Sequence, residues 1–371
     1  MATTLQSQLD CLRTFTCLFP PRLLASNMLT LPRDLVSPGG WAGPPMVLNL
    51  LVTSRCNMNC EMCEVGAFRR QAHQELSADE LGHIVRQTLP FRPTFFFGGG
   101  EPFVRDDVLD LVVAVKKHGL PLGMISNGLA VTGEVGRDLK ALGPEQMIFS
   151  LHGPEAVHAR ITRTTGTFER VIDNIELFCR SKGKTRVLLN VVLTGNNIDH
   201  IAEVVEIGAR IGVDQVRIEH LEFITDPEIE RHQEYCRVHL PENLRARMKL
   251  SSYIRGDTRF GDSPAEIARV LSALRRRYGS FLVLKPRLGD DEMRSWYTAR
   301  HSMSRMCLFV WRSLFLDPAG NVIPCLNYMD TKLGNALREP LLEIWNGRSY
   351  RALRRAVRRS ILPGCARCGR L

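Results

Sequence analysis

After residue 45 the chain alternates short apolar runs with longer amphipathic stretches. The runs are Met46–Thr53, Thr94–Phe97, Leu122–Ser126, Gln146–Leu151, Arg186–Thr194 and Gln215–Phe223. They are rich in Val, Ile, Leu and Phe, and mostly too continuous to face water on one side. Parallel strands covered on both faces have this character. Helical patterns lie between them. Ser77 and Glu80 form a capping box ahead of Leu81, Ile84 and Val85. Asp106–His118, Gly133–Leu142, Thr167–Ser181 and Asn197–Ile211 follow, several ending at glycine. Six βα repeats predict an α/β fold with a parallel sheet and right-handed crossovers. Six units fall short of the eight of a closed barrel, so the pattern admits an open, partial barrel or a doubly wound sheet.

The flanks differ in texture. Residues 1–45 are loop-rich and end in a Pro/Gly stretch from Pro38 to Pro45, which reads as an extension or cap. Leu5, Leu9, Leu12, Phe15 and Leu18 could share one face of a short amphipathic helix packed on the body. Residues 46–224 hold the βα repeats. Residues 225–305 are charged and mainly helical, and 306–371 carry a hairpin signal at Pro318-Ala319-Gly320-Asn321 and a helix between cysteines. No stretch approaches the ~20 apolar residues of a spanning helix. No basic-then-apolar leader opens the chain either. A cytoplasmic protein without a membrane span is expected.

Composition changes this picture little. With 44% hydrophobic and 24% charged residues in 371, the chain can bury a sizeable core. The net charge of +10 favours anionic partners. Much of it comes from Arg348, Arg351, Arg354, Arg355, Arg358, Arg359, Arg367 and Arg370, which read as the solvated face of a terminal helix. No nucleic-acid-binding signature accompanies them, so nucleic acid is not an expected partner.

The cysteines change it more. Seven of the eleven fall into two groups with metal-ligand spacing. Cys56, Cys60 and Cys63 follow the first strand as C-x3-C-x2-C. Three thiolates on one loop can hold three irons of a cubane and leave the fourth open, as a substrate-activating metal requires. Zinc is the alternative, but a structural zinc site wants four ligands and this loop offers three. Cys307, Cys325, Cys365 and Cys368 form a four-ligand set, for which spacing alone leaves zinc open.

The segment Cys56-Asn57-Met58-Asn59-Cys60-Glu61-Met62-Cys63 resembles the signature of the radical S-adenosylmethionine superfamily, with Met62 where relatives usually carry an aromatic residue. Three further matches follow in order at strand ends. They are Gly98-Gly99-Gly100-Glu101-Pro102, Ser126-Asn127-Gly128 and Ser150-Leu151-His152-Gly153. From Met306 the spacing resembles a twitch domain, the short relative of the SPASM domain, in a layout similar to aminocyclitol-oxidising members of the superfamily. The resemblance implies a partial (β/α)6 TIM-like barrel with a small cysteine-rich α+β domain. It implies two 4Fe–4S clusters, on Cys56, Cys60 and Cys63 and on Cys307, Cys325, Cys365 and Cys368. It also implies S-adenosylmethionine cleaved reductively to a 5′-deoxyadenosyl radical, with flavodoxin or ferredoxin as electron donor.

By the same resemblance, Met62, Gly98, Gly99, Gly100, Glu101, Ser126 and Asn127 line the cofactor. Ser150 and Arg163, with Arg160 as the alternative, receive its carboxylate. Asn190 lines the same pocket. Glu219 and Glu222, at the end of the sixth run, are candidate proton acceptors, and Cys236 is a candidate hydrogen-atom donor. The expected reaction is oxidation of a small polar molecule such as a sugar or aminocyclitol. The alternatives are a maturase of ribosomally made peptides, a redox-neutral epimerase, and a non-catalytic iron–sulfur or zinc protein.

Overall fold

The computed structural model describes residues 18–63, 66, 74–245, 254–255, 264–298, 301–302, 305–358 and 360–370. Of the proposed N-terminal amphipathic face only Leu18 lies among them, and it is buried. Helix α1 (Pro21–Val36) opens the described chain. Strand β1 (Val47–Thr53) follows and ends in the cysteine loop. Then come α2 (Ala78–Thr88), β2 (Thr94–Gly99), α3 (Val108–Lys116), β3 (Leu122–Ser126), α4 (Gly133–Leu142) and β4 (Gln146–Ser150). The next elements are α5 (Glu155–Thr162), α6 (Phe168–Ser181), β5 (Arg186–Leu193), α7 (Ile201–Ile211) and β6 (Gln215–His220).

Local chemistry explains the boundaries. Ser77 accepts the Glu80 amide while the Glu80 carboxylate accepts the Ser77 amide, so both orphan donors at the start of α2 are satisfied. Gly143 and Gly212 take left-handed conformations that end α4 and α7. The strands are buried over nearly their whole length. Phe95, Phe97, Leu122, Met124, Met147, Phe149, Leu189 and Val216 pack into one continuous core with the helices.

Among the described residues the sheet has ten strands, in the order β12 (Gly334–Asn335), β11 (Asn321–Ile323), β10 (Ser313–Leu316), β1 to β6 in sequence and β9 (Leu282–Lys285), and it does not close. Strands β1 to β6 are parallel neighbours in sequence order, which makes the architecture TIM-like with its strand C-termini at one end. Four strands beyond the predicted six extend it, β9 on one side and β10, β11 and β12 on the other. Past β6 the chain forms β7 (Phe223–Ile224), α8 (Asp226–His239), β8 (Ile254–Arg255), α9 (Pro264–Tyr278), β9 (Leu282–Lys285) and α10 (Asp290–Trp296). Strand β9 joins β6 in parallel. Next come α11 (Phe309–Arg312), β10 (Ser313–Leu316), β11 (Asn321–Ile323), β12 (Gly334–Asn335), α12 (Leu341–Trp345) and α13 (Arg348–Val357). Strand β10 lies parallel along β1, β11 returns antiparallel to it across the turn at Pro318–Asn321 where the hairpin is expected, and β12 adds antiparallel to β11.

The sixth apolar run is divided. Strand β6 stops at His220, and Phe223–Ile224 pairs instead with Ile254–Arg255 in a separate small sheet. Between them Glu222 turns away to accept the amide of Gly369 at 2.6 Å. The arginine-rich stretch is only partly a solvated face. Arg354 and Arg367 are among the largest fully buried side chains. The Arg354 guanidinium donates to the carbonyls of Val310 (2.8 Å) and Gly40 (3.2 Å) and lies 4.1 Å over Trp345. It therefore ties α13 to the residues before β1. Asp34 of α1 reinforces that joint by accepting from Arg312 (2.9 Å) and from the Gly43 amide (2.7 Å).

Candidate active site

The loop carrying Cys56, Cys60 and Cys63 leaves β1 at the end of the sheet where the parallel strands finish, and the three thiols are half-buried. The ends of β2, β3, β5 and α5 help hold it. The Gly100 amide donates to the Thr53 carbonyl (2.9 Å) and the Glu101 amide to the Arg55 carbonyl (2.8 Å). Asn127, after β3, donates through Nδ2 to Asn57 Oδ1 (2.7 Å). The amides of Asn59 and Glu61 donate to the carbonyls of Thr162 and Ile161 at the end of α5. Asn196, after β5, donates to the Glu61 carboxylate (2.7 Å).

Gly99 and Gly100 are required by this packing. Gly99 has φ +119°, and a Cβ there would stand 2.4 Å from the Thr53 carbonyl oxygen. A Cβ on Gly100 would stand 1.9 Å from that of Arg55. Gly98 is less tight, with Ile125 Cγ2 at 3.2 Å from the position of an added Cβ. The glycines thus press the β2 end directly on the cysteine loop.

Glu101 is the brace of this end. Its buried carboxylate accepts from the Phe103 amide (3.1 Å), the Ser126 hydroxyl (2.8 Å) and the Asn127 amide (2.6 Å). Burial pushes its carboxyl up to about 7, and the three donors pull against that rise. Ser126 also accepts the Gly128 amide, so Glu101 and Ser126 are engaged in fixing the turn after β3. Met62 is buried against Val157 and Ile161, with Cys60, Val192 and Leu221 beside them. An apolar wall results on one side of the cysteine loop.

Ser150 is the last residue of β4 and half-buried. Arg163 is exposed, caps α5 in a left-handed conformation (φ 53°), and follows the Thr162 carbonyl that receives the cysteine loop. Arg160 is spent elsewhere, donating to the Asn196 carbonyl at 2.7 Å. Asn190 belongs to a network that the sequence reading missed. Arg217 Nε donates to Asn190 Oδ1 (2.7 Å) and lies 3.2 Å from Glu219, which Lys285 of β9 also meets at 3.2 Å. Val216, one residue along, packs towards Gly208 of α7, so Arg217 and Glu219 take the opposite, inner face of β6. That alternation, with charges at every second position of an apolar strand, was the available signal.

Burial alone would raise the Glu219 carboxyl. The charges of Arg217 and Lys285 outweigh it and hold it at about 2. At neutral pH this carboxylate is a weak proton acceptor. Glu222 is nine-tenths buried and bonded to the Gly369 amide, with Arg370 at 3.5 Å. Cys236 sits inside α8, its thiol 3.4 Å from His232 Nε2, and burial pushes it up to about 11. His232 Nδ1 accepts the Gly364 amide (3.3 Å), which places Cys236 beside the C-terminal cysteine turn.

At that turn the second group converges. Cys307, Cys325, Cys365 and Cys368 come from the segment before α11, the residues just after β11 and the final C-x2-C turn. Burial raises all four thiols, Cys325 to about 12, and Cys325, Cys365 and Cys368 each also feel the charge of other members of the set. Four thiols from three segments, Cys368 buried and the others half-buried, fit a closed, fully ligated iron–sulfur cluster, whose positive irons would take the place of the protons. The N-terminal loop fits the open kind, with three thiols.

The model of the radical SAM superfamily matches residues 50–207, and that of the SPASM iron–sulfur cluster-binding domain matches residues 307–369. The chain carries a radical SAM domain followed by a SPASM domain. Its cofactors are therefore 4Fe–4S clusters and S-adenosylmethionine, and it is an enzyme of the radical SAM class. The radical SAM–SPASM chain is 24% identical over 328 residues to the AdoMet-dependent heme synthase of Methanosarcina barkeri, covering 84% of this chain and 85% of that protein. It is 26% identical over 330 residues to the PqqA peptide cyclase of Streptomyces rochei, covering 84% and 79%. The fold is shared with SuiB of Streptococcus suis, solved with S-adenosylmethionine and with its precursor peptide SuiA. The TM-score with the peptide-bound structure is 0.59 at 15% identity, over 82% of this chain and 65% of SuiB. Among the described residues no helix is long and apolar enough to cross a membrane.

Proposed function

We propose that this radical SAM–SPASM enzyme modifies a peptide. The observation that carries the reading is the extent of the likeness to PqqA peptide cyclase, which covers 84% of the chain and not the SAM-binding half alone. SuiB, which shares the fold, was solved with a precursor peptide. The expectation of a sugar or aminocyclitol substrate has no comparable support.

In this reading Cys56, Cys60 and Cys63 hold the first cluster, and Gly98–Gly100, Ser150 and Arg163 receive S-adenosylmethionine. Bound there, these groups supply one-electron cleavage of the sulfonium and a radical that abstracts hydrogen. Glu101 keeps the strand ends aligned. Met62, Val157, Ile161, Val192 and Leu221 exclude water from one side. Arg217 and Lys285 meet at Glu219 and bring cationic groups to the inner face of β6 and β9, which suits an acidic group on the substrate. A proton released on oxidation would go to solvent or to the substrate's own groups, because Glu219 and Glu222 are held in ion pairs and hydrogen bonds.

Oxidation of a small anionic molecule is the second reading. It is favoured by the same cations and by the equally long likeness to heme synthase. The test has two arms. The anaerobically reconstituted, reduced enzyme is first assayed for 5′-deoxyadenosine from S-adenosylmethionine alone. It is then incubated with precursor peptides encoded beside its gene and, separately, with carboxylated small molecules. Loss of two hydrogens from a peptide, seen by mass spectrometry, supports the first reading. Turnover of the small molecules alone rejects it.

A further inference from the structure

We infer that Tyr328 sets the reduction potential of the auxiliary cluster, through a hydrogen bond from its hydroxyl to the sulfur of Cys365. The inference rests on assigning that cluster to Cys307, Cys325, Cys365 and Cys368.

Tyr328 ends the short 3-10 turn that begins directly after Cys325, so one ligand's own backbone positions it. It is 2% exposed, and its hydroxyl lies 3.3 Å from Cys365 Sγ. The ring has little freedom. It packs on His232 with centroids 5.7 Å apart and planes 30° from parallel. His232 is fixed in turn by the Gly364 amide on Nδ1 and by Cys236 on Nε2. Cys236, Gly364 and Tyr328 thus hold one imidazole, and that imidazole holds the phenol against the cysteine turn.

Between a free thiol and a phenol, either group can donate. Once Cys365 is an iron-bound thiolate it has no proton, so the bond becomes O–H···S with Tyr328 as the only donor of the two. Reduction adds one negative charge that spreads over the irons and their sulfurs. A hydrogen bond to a more negative acceptor is stronger, so this contact stabilises the reduced form more than the oxidised form. The potential is higher with the hydroxyl than without it, which suits the cluster to receive an electron.

Tyr328 is a positioning and tuning residue, and its test is a potential. Tyr328→Phe keeps the ring and its packing on His232 and removes only the donor. The full chain with Cys56, Cys60 and Cys63 replaced by alanine isolates the signal of the second cluster, titrated by EPR against redox mediators. At a fixed ambient potential, Tyr328→Phe should lower the ratio of reduced to oxidised cluster about tenfold, which is about 59 mV for a one-electron couple. Replacing Tyr328 with 3-fluorotyrosine, a stronger donor of nearly the same shape, should move the potential the other way. An unchanged midpoint with the cluster intact in Tyr328→Phe overturns the inference. If Tyr328→Phe loses its cluster, the fluorotyrosine variant decides alone, and no upward shift there also overturns it. Failure of the ligand assignment looks different, because Cys365→Ala would then retain the second cluster.

Discussion

The best anchored side chain of the C-terminal cysteine turn is an arginine, and its removal should open that turn selectively. Arg367 stands between Cys365 and Cys368 and is buried together with Glu228 of α8. Its Nη1 meets both Glu228 oxygens (2.6 and 2.5 Å), Nε donates to the Trp296 carbonyl (2.6 Å) and Nη2 to that of Thr298 (2.6 Å). The guanidinium lies 4.1 Å over Phe223. Arg367→Met keeps apolar bulk but strands a buried carboxylate, a change that costs about 3–5 kcal/mol. Glu228 keeps the amides of Thr225 (3.0 Å) and His301 (3.3 Å) and the more distant Arg231 (3.9 Å) to offset it. The loss falls on a local unit, because the bond spans the cysteine turn and the helical region. Amides of Cys365, Ala366, Cys368 and Gly369, now bonded within the turn or to Glu222, should exchange roughly a hundred- to several-thousand-fold faster by mass-detected hydrogen exchange. Protein loaded with about eight irons should fall towards four under mild chelation. Adding Glu228→Gln to Arg367→Met removes the stranded charge and should recover part of the protection. Unchanged exchange in Arg367→Met, or a double variant worse than the single by the full amount, would refute the reasoning.

Three further outcomes are expected. Gly100→Ala drives a Cβ into the Arg55 carbonyl at 1.9 Å and should abolish 5′-deoxyadenosine formation while leaving the second cluster's four irons, read by iron assay and EPR. Glu101 has its carboxyl raised from an ordinary value near 4.5 to about 7, so the folded state binds the extra proton between those values. Stability contributed by this group is complete below about pH 4.5 and is lost as pH rises through 7. Glu101→Gln should flatten that part of the pH–stability profile in denaturant titrations, and a profile identical to wild type counts against the assignment. Replacing Cys365 and Cys368 by alanine should spare S-adenosylmethionine cleavage in chains that still fold, yet stop oxidised product. Full product from such a variant would make the second cluster structural.

How much of this could be read beforehand depended on range. The strands β1 to β5 and the helices α2, α4 and α6 are written in contiguous residues, and their observed bounds lie within a few residues of the apolar runs and caps. The cysteine loop and Gly98–Pro102 are equally local. Helix α5 was not anticipated, since its eight residues between Pro154 and Arg163 have weak amphipathic spacing. Strands β9 and β10, four residues each, lie far along the chain and are defined only by pairing with β6 and β1. The two buried arginines were illegible for the same reason. A row of arginines predicts a wet face, and only the folded chain shows that the carbonyls of Gly40, Val310, Trp296 and Thr298 await two of them. The charged lumen of Arg217, Glu219 and Lys285 needed β9 in place before it could be seen.

The alignment of β10 along β1 sets a limit on how this chain can be divided. Strand β1 is an inner strand only because Ser313–Leu316 occupies its outer side. A product trimmed after residue 305 would keep the first cysteine loop and every strand from β1 to β6. It would also bare the hydrogen-bonding edge of Val47–Leu50, flanked by Leu48 and Leu50, which the whole chain leaves 0–1% exposed. A long apolar edge of that kind recruits other chains. Proteolysis or truncation between the two domains would therefore yield self-associating material and not an isolated radical SAM core. The C-terminal domain serves as the selvage of the barrel as well as the seat of its second cluster.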